Sequence, residues 1–183
     1  MKGIFFLLPL SLLFSCSSSQ VTDMQQTEDE TVDQVSGSQR DITSLIKQIT
    51  ISNLNQFIER ENGLWLIQSS GAMPTMTNYT EVDKNFPLDF TSCEESKLPK
   101  IDCGAKNFWT KEGCFIQQEN TFAEEKIWMY SGLNAEDEAK VAELAKTISY
   151  TVVNTSLNAR YYFSWKEGQC RLVFADLRRP CNA

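Results

Sequence analysis

The stretch that decides the fold is SYTVVNTSLNARYYFSWKEGQCRLVF, residues 149–174. It holds three runs with the composition of β-strands: residues 149–154 are rich in Val and Thr, the run over 161–165 places aromatic residues at alternate positions on one face, and the run over 170–174 does the same with Cys170, Leu172 and Phe174. Glu167-Gly168 lies between the last two runs and is a strong hairpin signal. These features predict a meander of three antiparallel strands.

Upstream of the meander, the sequence predicts one helix and two more strands. Asn134 is a good N-cap, three acidic residues follow it at positions 136–138, and Ala and Leu side chains then supply an apolar side up to Ile148. The runs over 113–117 and 126–130 are rich in aromatic and β-branched residues. We predict a strand for each of these two runs.

A second amphipathic helix is predicted earlier in the chain. Asp41 is a suitable N-cap, and Gly63 is a typical helix stop. The apolar residues between them fall mostly on one helical stripe: Ile42, Leu45, Ile46, Ile49, Leu54, Phe57 and Ile58. We therefore expect a helix over about 42–61, followed directly by a buried strand over 64–67.

Residues 69–111 show no sustained period and contain three prolines. An irregular loop of this length is unusual in a compact domain. We expect it to hide a strand near 75–82 and to be held down by cysteine cross-links. The whole element order predicts an α+β domain over 41–183, with an antiparallel sheet of about five strands and two main helices packed on one face. This order is similar to that of profilin-like, PAS-like and NTF2-like domains, a similarity that implies no function.

The N-terminus has the pattern of an export signal. Lys2 precedes a run of about eleven mostly apolar residues, IFFLLPLSLLF (4–14), which is too short to span a bilayer. Leu13-Phe14-Ser15-Cys16 resembles the lipobox of bacterial lipoproteins, although Phe14 departs from the small or aliphatic residue usual there. The resemblance implies cleavage after residue 15 and lipidation of Cys16. It also implies a lipid-anchored place in the bacterial cell envelope, at the outer membrane or the cell surface. A plain secretory signal cleaved near Ser17 or Ser19, or an uncleaved anchor, remains the alternative.

Residues 16–40 are predicted to form a flexible tether. Ser, Thr, Gln and acidic residues dominate this segment, and no aromatic residue occurs between Phe14 and Phe57. Such a composition buries too little apolar surface to offset the entropy of ordering the chain. The tether would hold the folded domain clear of the lipid headgroups.

The cysteines after Cys16 are expected to form disulfides, because an exported chain reaches an oxidising compartment. They number five: Cys93, Cys103, Cys114, Cys170 and Cys181. One thiol is therefore left over, and the sequence does not select the pairing. A bond between Cys170 and Cys181 is plausible because it would pin the C-terminal tail, and two of the other three would close the irregular region. The spacing lacks the short intervals of zinc sites, so no metal is expected. Redox or nucleophilic use is the minor alternative.

Composition excludes several function classes. The 183-residue chain has no histidine, so it has no Ser-His-Asp triad and no His-ligated metal or haem. Its net charge of −7 argues against nucleic-acid binding. Trp65, Phe108 and Trp109 are candidates for lining a ligand site, with Trp109 the best candidate for exposure, although core packing is the commoner role.

These observations predict a non-catalytic, lipid-anchored binding domain that needs no cofactor and recognises an envelope or host macromolecule. The first alternative is a small-molecule or sensory domain with an aromatic-lined pocket. A weaker one is an envelope enzyme that uses carboxylates or the Ser44–Lys47 pair. Ser44 and Lys47 are one helical turn apart, but the motif is short and exposed helix residues are the better interpretation.

Overall fold

The computed structural model describes residues 42–69, 71 and 73–181. The predicted signal sequence, the lipobox cysteine Cys16 and the predicted tether lie outside these residues. In the part of the chain that is described, no helix has the length and apolar character needed to cross a bilayer.

The described chain forms seven strands, three α-helical segments and two turns of 3-10 helix. The strands are β1 (Leu64–Ser69), β2 (Pro74–Tyr79), β3 (Glu94–Glu95), β4 (Cys114–Gln117), β5 (Ile148–Asn154), β6 (Ala159–Lys166) and β7 (Gln169–Asp176). The α-helical segments are α1 (42–47), α2 (Thr121–Glu125) and α3 (Ala135–Ala145), and the 3-10 turns are Leu54–Phe57 and Ile127–Tyr130.

All seven strands belong to one mixed sheet in the order β2-β1-β7-β6-β5-β4-β3. Four of its pairings are antiparallel, whereas β1 pairs with β7 and β3 pairs with β4 in parallel. The α+β class is therefore confirmed, but the prediction of about five strands, all antiparallel, is wrong. Parallel neighbours need a long connection, and the chain supplies one both between β1 and β7 and between β3 and β4.

The sheet is covered on both faces, so the prediction of helices on one face is also wrong. The first face carries Tyr161 and Phe163, and packs against α1, the 3-10 turn Leu54–Phe57 and the irregular region. The second face carries Tyr162 and Phe174, and packs against α2, the 3-10 turn Ile127–Tyr130 and α3. Apolar residues on adjacent positions of β6 and β1 made this arrangement possible, because successive strand residues point to opposite faces.

The helix predicted over 42–61 ends at residue 47. The chain then turns, because the Asn53 side chain accepts a hydrogen bond from the backbone N–H of Thr50 and donates one to the carbonyl of Gln48. Side chains of this kind compete with helical hydrogen bonds. The apolar stripe still fulfils its packing role, because Ile46, Ile49 and Leu54 are fully buried on the first face.

The strand predicted over 126–130 is a turn of 3-10 helix instead. Ile127 and Trp128 are both buried, whereas the next two residues are exposed. Two buried residues followed by two exposed ones do not match the alternation of a strand with one exposed face, and this pattern fits a helical turn.

The other predicted elements are confirmed. Asn134 caps α3 by accepting hydrogen bonds from the N–H groups of Glu136 and Asp137. The Glu167-Gly168 turn of the β6–β7 hairpin has positive φ at both residues, 53° and 75°, as a type I′ turn requires. Residues 74–79 form the strand that was expected inside the irregular region.

The chain from residue 80 to residue 113 has little regular structure, but it is fixed to the sheet at several points. Phe90 is fully buried against Tyr161 and Phe163. The Tyr161 hydroxyl donates to the carbonyl of Pro87, and two disulfides complete the attachment. The cross-links that the sequence predicted for this region are therefore present.

Candidate functional site

The cysteine pairs are Cys93–Cys114 and Cys103–Cys181. The first closes 21 residues of the irregular region, and the second ties that region to the C-terminal tail across 78 residues. The expected Cys170–Cys181 bond is wrong. Cys170 lies near the start of β7 and Cys181 beyond its end, so the strand between them spans about 20 Å, whereas bonded Cα atoms lie about 4–7 Å apart.

Cys170 is the unpaired thiol among the cysteines that the structure describes. It is buried on the first face, in register with Trp165 of β6. Burial raises the pKa of this thiol to about 12, although Arg171 opposes the shift. A thiol with this pKa is protonated at neutral pH, so it is a poor nucleophile and a poor metal ligand.

A surface cleft of about 420 Å³ opens on the second face of the sheet, and we call it the Trp109 cleft. One wall is the loop over 97–101 together with Trp109, the other is α2, and Val153 and Arg160 form part of the lining. The cleft carries three cations and three carboxylates, namely Lys97, Lys100, Arg160, Glu119, Glu124 and Glu125. Its walls can therefore bind both charged and apolar groups.

Trp109 lines this cleft but is not exposed as predicted, since only 4% of its surface is accessible. Its indole Nε1 donates to the Asn158 side chain at 3.0 Å, and its backbone forms an isolated bridge with Ile101. These contacts hold the ring in one orientation. Trp109 therefore fixes the wall of the cleft.

The other two predicted ligand-lining residues lie elsewhere. Trp65 is buried in the core of the second face, where its indole Nε1 has no hydrogen-bond partner among the described residues. Phe108 is half-buried with a positive φ of 67°, and the Arg179 guanidinium lies 5.8 Å from its ring centre. The structure thus brings one of the three aromatic candidates into the Trp109 cleft.

A buried ion cluster lies beside the cleft. The Asp176 side chain is fully buried and accepts hydrogen bonds from Arg160 at 2.5 Å and from Arg178 at 2.8 and 2.9 Å. Glu125, the last residue of α2, pairs with both arginines. The cluster joins α2, β6, β7 and the C-terminal tail with two charges of each sign.

The cluster keeps its groups ionised. Burial raises the pKa of Asp176, but hydrogen bonds from Arg178 and the charges of Arg178 and Arg160 outweigh burial, so the pKa is lowered. Burial lowers the pKa of both arginines, but Tyr162, Asp176 and Glu125 together raise the pKa of Arg160, and the two carboxylates raise that of Arg178. The Asp176 carboxylate is therefore held as a structural anion and does not exchange protons near neutral pH.

Sequence reasoning missed Asp176, Arg160 and Glu125. The sequence did contain one signal, Asp176 itself. An acid at the end of an apolar strand is expected to be buried there, and a buried acid needs a cationic partner.

Within the described residues, no group of three or more Cys, Asp or Glu side chains is placed to hold a metal ion. No protein-family model, curated protein or solved structure matches the chain.

Proposed function

We propose that the protein is a lipid-anchored binding protein of the bacterial cell envelope. In this proposal Cys16 carries the lipid, and the folded domain recognises an envelope or host macromolecule without catalysis. The observation that carries the proposal is the irregular chain over 80–113, which two disulfides and buried side chains fix to the sheet. Fixing a long loop lowers the entropy lost on binding, and recognition sites commonly use loops positioned by a rigid scaffold.

The chemistry of the described groups supports binding over catalysis. The core between α1 and the first face is filled, because Ile46, Ile49 and Phe163 are each at most 1% exposed. The buried carboxylate beside the Trp109 cleft is neutralised by two arginines, and the free thiol is buried. These groups stabilise the fold and shape the cleft.

The anchor is tested by replacing Cys16 with alanine. We expect the wild-type protein to sediment with membranes and to carry an acyl mass on residue 16, and the Cys16→Ala protein to be recovered in the supernatant. Two or three fatty chains hold a protein firmly, whereas the loss of all of them removes this attachment. Intact mass spectrometry and membrane fractionation measure the two results. A wild-type protein that carried no acyl mass on residue 16 would refute the lipid anchor.

A small-molecule function is the second candidate, and the Trp109 cleft is the observation that favours it. Its volume of about 420 Å³ lies within the range of small-ligand sites, about 300–1,000 Å³. It differs from the aromatic-lined pocket that the sequence suggested, because its lining is charged as well as apolar. A free ligand in this cleft would need both polar and apolar groups.

Photo-crosslinking distinguishes the two candidates. The crosslinking amino acid p-benzoylphenylalanine would replace Ile101, which is exposed and lines the cleft. The matched control position is Lys166, which is also exposed but lies at the other end of β6 from Arg160, about 20 Å away. For a macromolecular partner, we expect irradiation of whole cells to give a high-mass adduct at Ile101 and none at Lys166. Adducts at both positions, or at neither, would contradict the binding of a macromolecular partner in this cleft.

A further inference from the structure

The two edge strands of the sheet differ in a way that bears on binding. β3 is two residues long and both are glutamates, which is a common protection against pairing with another chain. β2, at the other edge, is six residues long with the sequence PTMTNY and carries no charge. Among the described residues, no strand pairs with the outer side of β2. About half of its backbone N–H and C=O groups therefore point away from the sheet.

Exposed apolar side chains gather around β2. The described residues include six large exposed apolar side chains, and four of them lie in β2, next to it in sequence, or in the 3-10 turn that packs beside it: Met73, Tyr79, Met129 and Tyr130. Met73 immediately precedes β2, and the 3-10 turn that carries Met129 and Tyr130 packs beside β2 at the second face. More than half of the Met73 and Met129 surfaces is accessible, at 58% and 56%. A strand added to β2 would cover part of this surface.

The first face next to β2 carries an acidic groove of about 400 Å³, with Leu66, Tyr79 and Phe86 in its lining. Two carboxylates, Glu81 and Asp83, also line it, and no Lys or Arg in the described part of the chain does. The Glu81 carboxylate makes no hydrogen bond or ion pair with the described residues. The groove therefore complements a cation with a long aliphatic stem, such as Lys or Arg.

We propose that β2 binds an extended segment of a partner protein in which basic and apolar residues alternate. The segment would add an eighth strand by backbone hydrogen bonding to the outer side of β2. Because successive strand residues point to opposite faces, its basic side chains would reach Glu81 and its apolar side chains would pack on Met129 and Tyr130. This surface is separate from the Trp109 cleft and needs no lipid anchor, so its test is independent of the function proposed above.

The probe is a fluorescein-labelled peptide of eight residues, alternating Lys and Val, titrated into the purified protein and followed by anisotropy. We expect saturable binding that weakens about tenfold or more when every Lys is replaced by Glu. Two N-methylated versions test the backbone contacts, each blocking the N–H groups along one edge of the peptide. Blocking the edge that faces β2 should abolish binding, and blocking the other edge should leave it within about twofold, because only one edge meets the sheet.

Two charge reversals complete the test. Glu81→Lys should weaken binding of the Lys-Val peptide about tenfold or more, whereas Glu94→Lys on β3 makes the same charge change at the opposite edge and should have little effect. Thermal melting confirms that each variant folds. The proposal fails if both N-methylated peptides bind equally, or if the two variants weaken binding equally, since either result indicates non-specific attraction to an acidic protein. It also fails if the protein sediments as a dimer that Thr77→Arg dissociates, because a second copy then occupies β2.

Discussion

Replacing Asp176 with asparagine is expected to lower the free energy of unfolding by about 3–5 kcal/mol. The substitution removes the anion that two arginines share and leaves both guanidinium groups to the partly exposed Glu125. A partly buried cation without its partner is strongly destabilising, even where the intact pair adds little net stability. Urea unfolding followed by tryptophan fluorescence measures the change.

The matched control for Asp176→Asn is Glu143→Gln. It breaks the ion pair between Glu143 and Lys146, whose side chains are 74% and 67% exposed, respectively. Exposed pairs contribute little, so the unfolding midpoint of this variant should stay close to that of the wild type. A similar loss of unfolding free energy in both variants would show that the buried ion cluster stabilises the fold no more than an exposed ion pair does.

The stabilisation by Asp176 depends on pH with a definite sign. The lowered pKa keeps the native carboxylate ionised at pH values where the carboxylate of an unfolded chain, with a pKa of about 3.9, takes up a proton. The contribution is therefore complete well above pH 4 and is lost as the pH falls through the native pKa. The difference in unfolding free energy between wild type and Asp176→Asn should therefore be constant well above pH 4 and narrow as the pH falls below about 4. A difference in unfolding free energy that increased at low pH would contradict the lowered pKa of Asp176.

The elements that could be predicted from the sequence are those with strong local signals. The signals for β6 and β7, for the Glu167-Gly168 turn and for the Asn134 cap each depend on neighbouring residues, and each of these features is present. The apolar stripe over 42–58 predicted which side chains are buried but not the conformation of the chain. Local competition by Asn53 decided that conformation.

Contacts between distant parts of the chain could not be predicted in the same way. The parallel pairing of β1 with β7 joins strands more than a hundred residues apart, and no local pattern encodes it. The ion cluster likewise unites Glu125, Arg160 and Asp176 only after the sheet and α2 are in place. Trp109 lines a cleft, but it is buried where exposure was predicted, and this burial depends on Asn158, which follows β5.

Removing the Cys103–Cys181 disulfide should cost more stability than removing Cys93–Cys114. In the chain-entropy model a bond that closes 78 residues contributes about 4–5 kcal/mol, and one that closes 21 residues contributes about 3 kcal/mol. The double substitutions Cys103→Ser with Cys181→Ser, and Cys93→Ser with Cys114→Ser, test this order by urea unfolding. Hydrogen exchange should also rise over residues 97–112 in the first variant, because the tail no longer holds this loop.

Cys170 supplies the control for both disulfide variants. Cys170→Ala removes a buried sulfur without opening a loop, so it should lower the free energy of unfolding by only about 1 kcal/mol.

In the wild-type protein, iodoacetamide should leave Cys170 unmodified until urea is added, because the thiol is buried and its pKa is raised to about 12. Peptide mapping that found Cys170 bonded to Cys181 would overturn the pairing. It would also remove the attachment of the 97–112 loop, which carries Trp109, to the C-terminal tail.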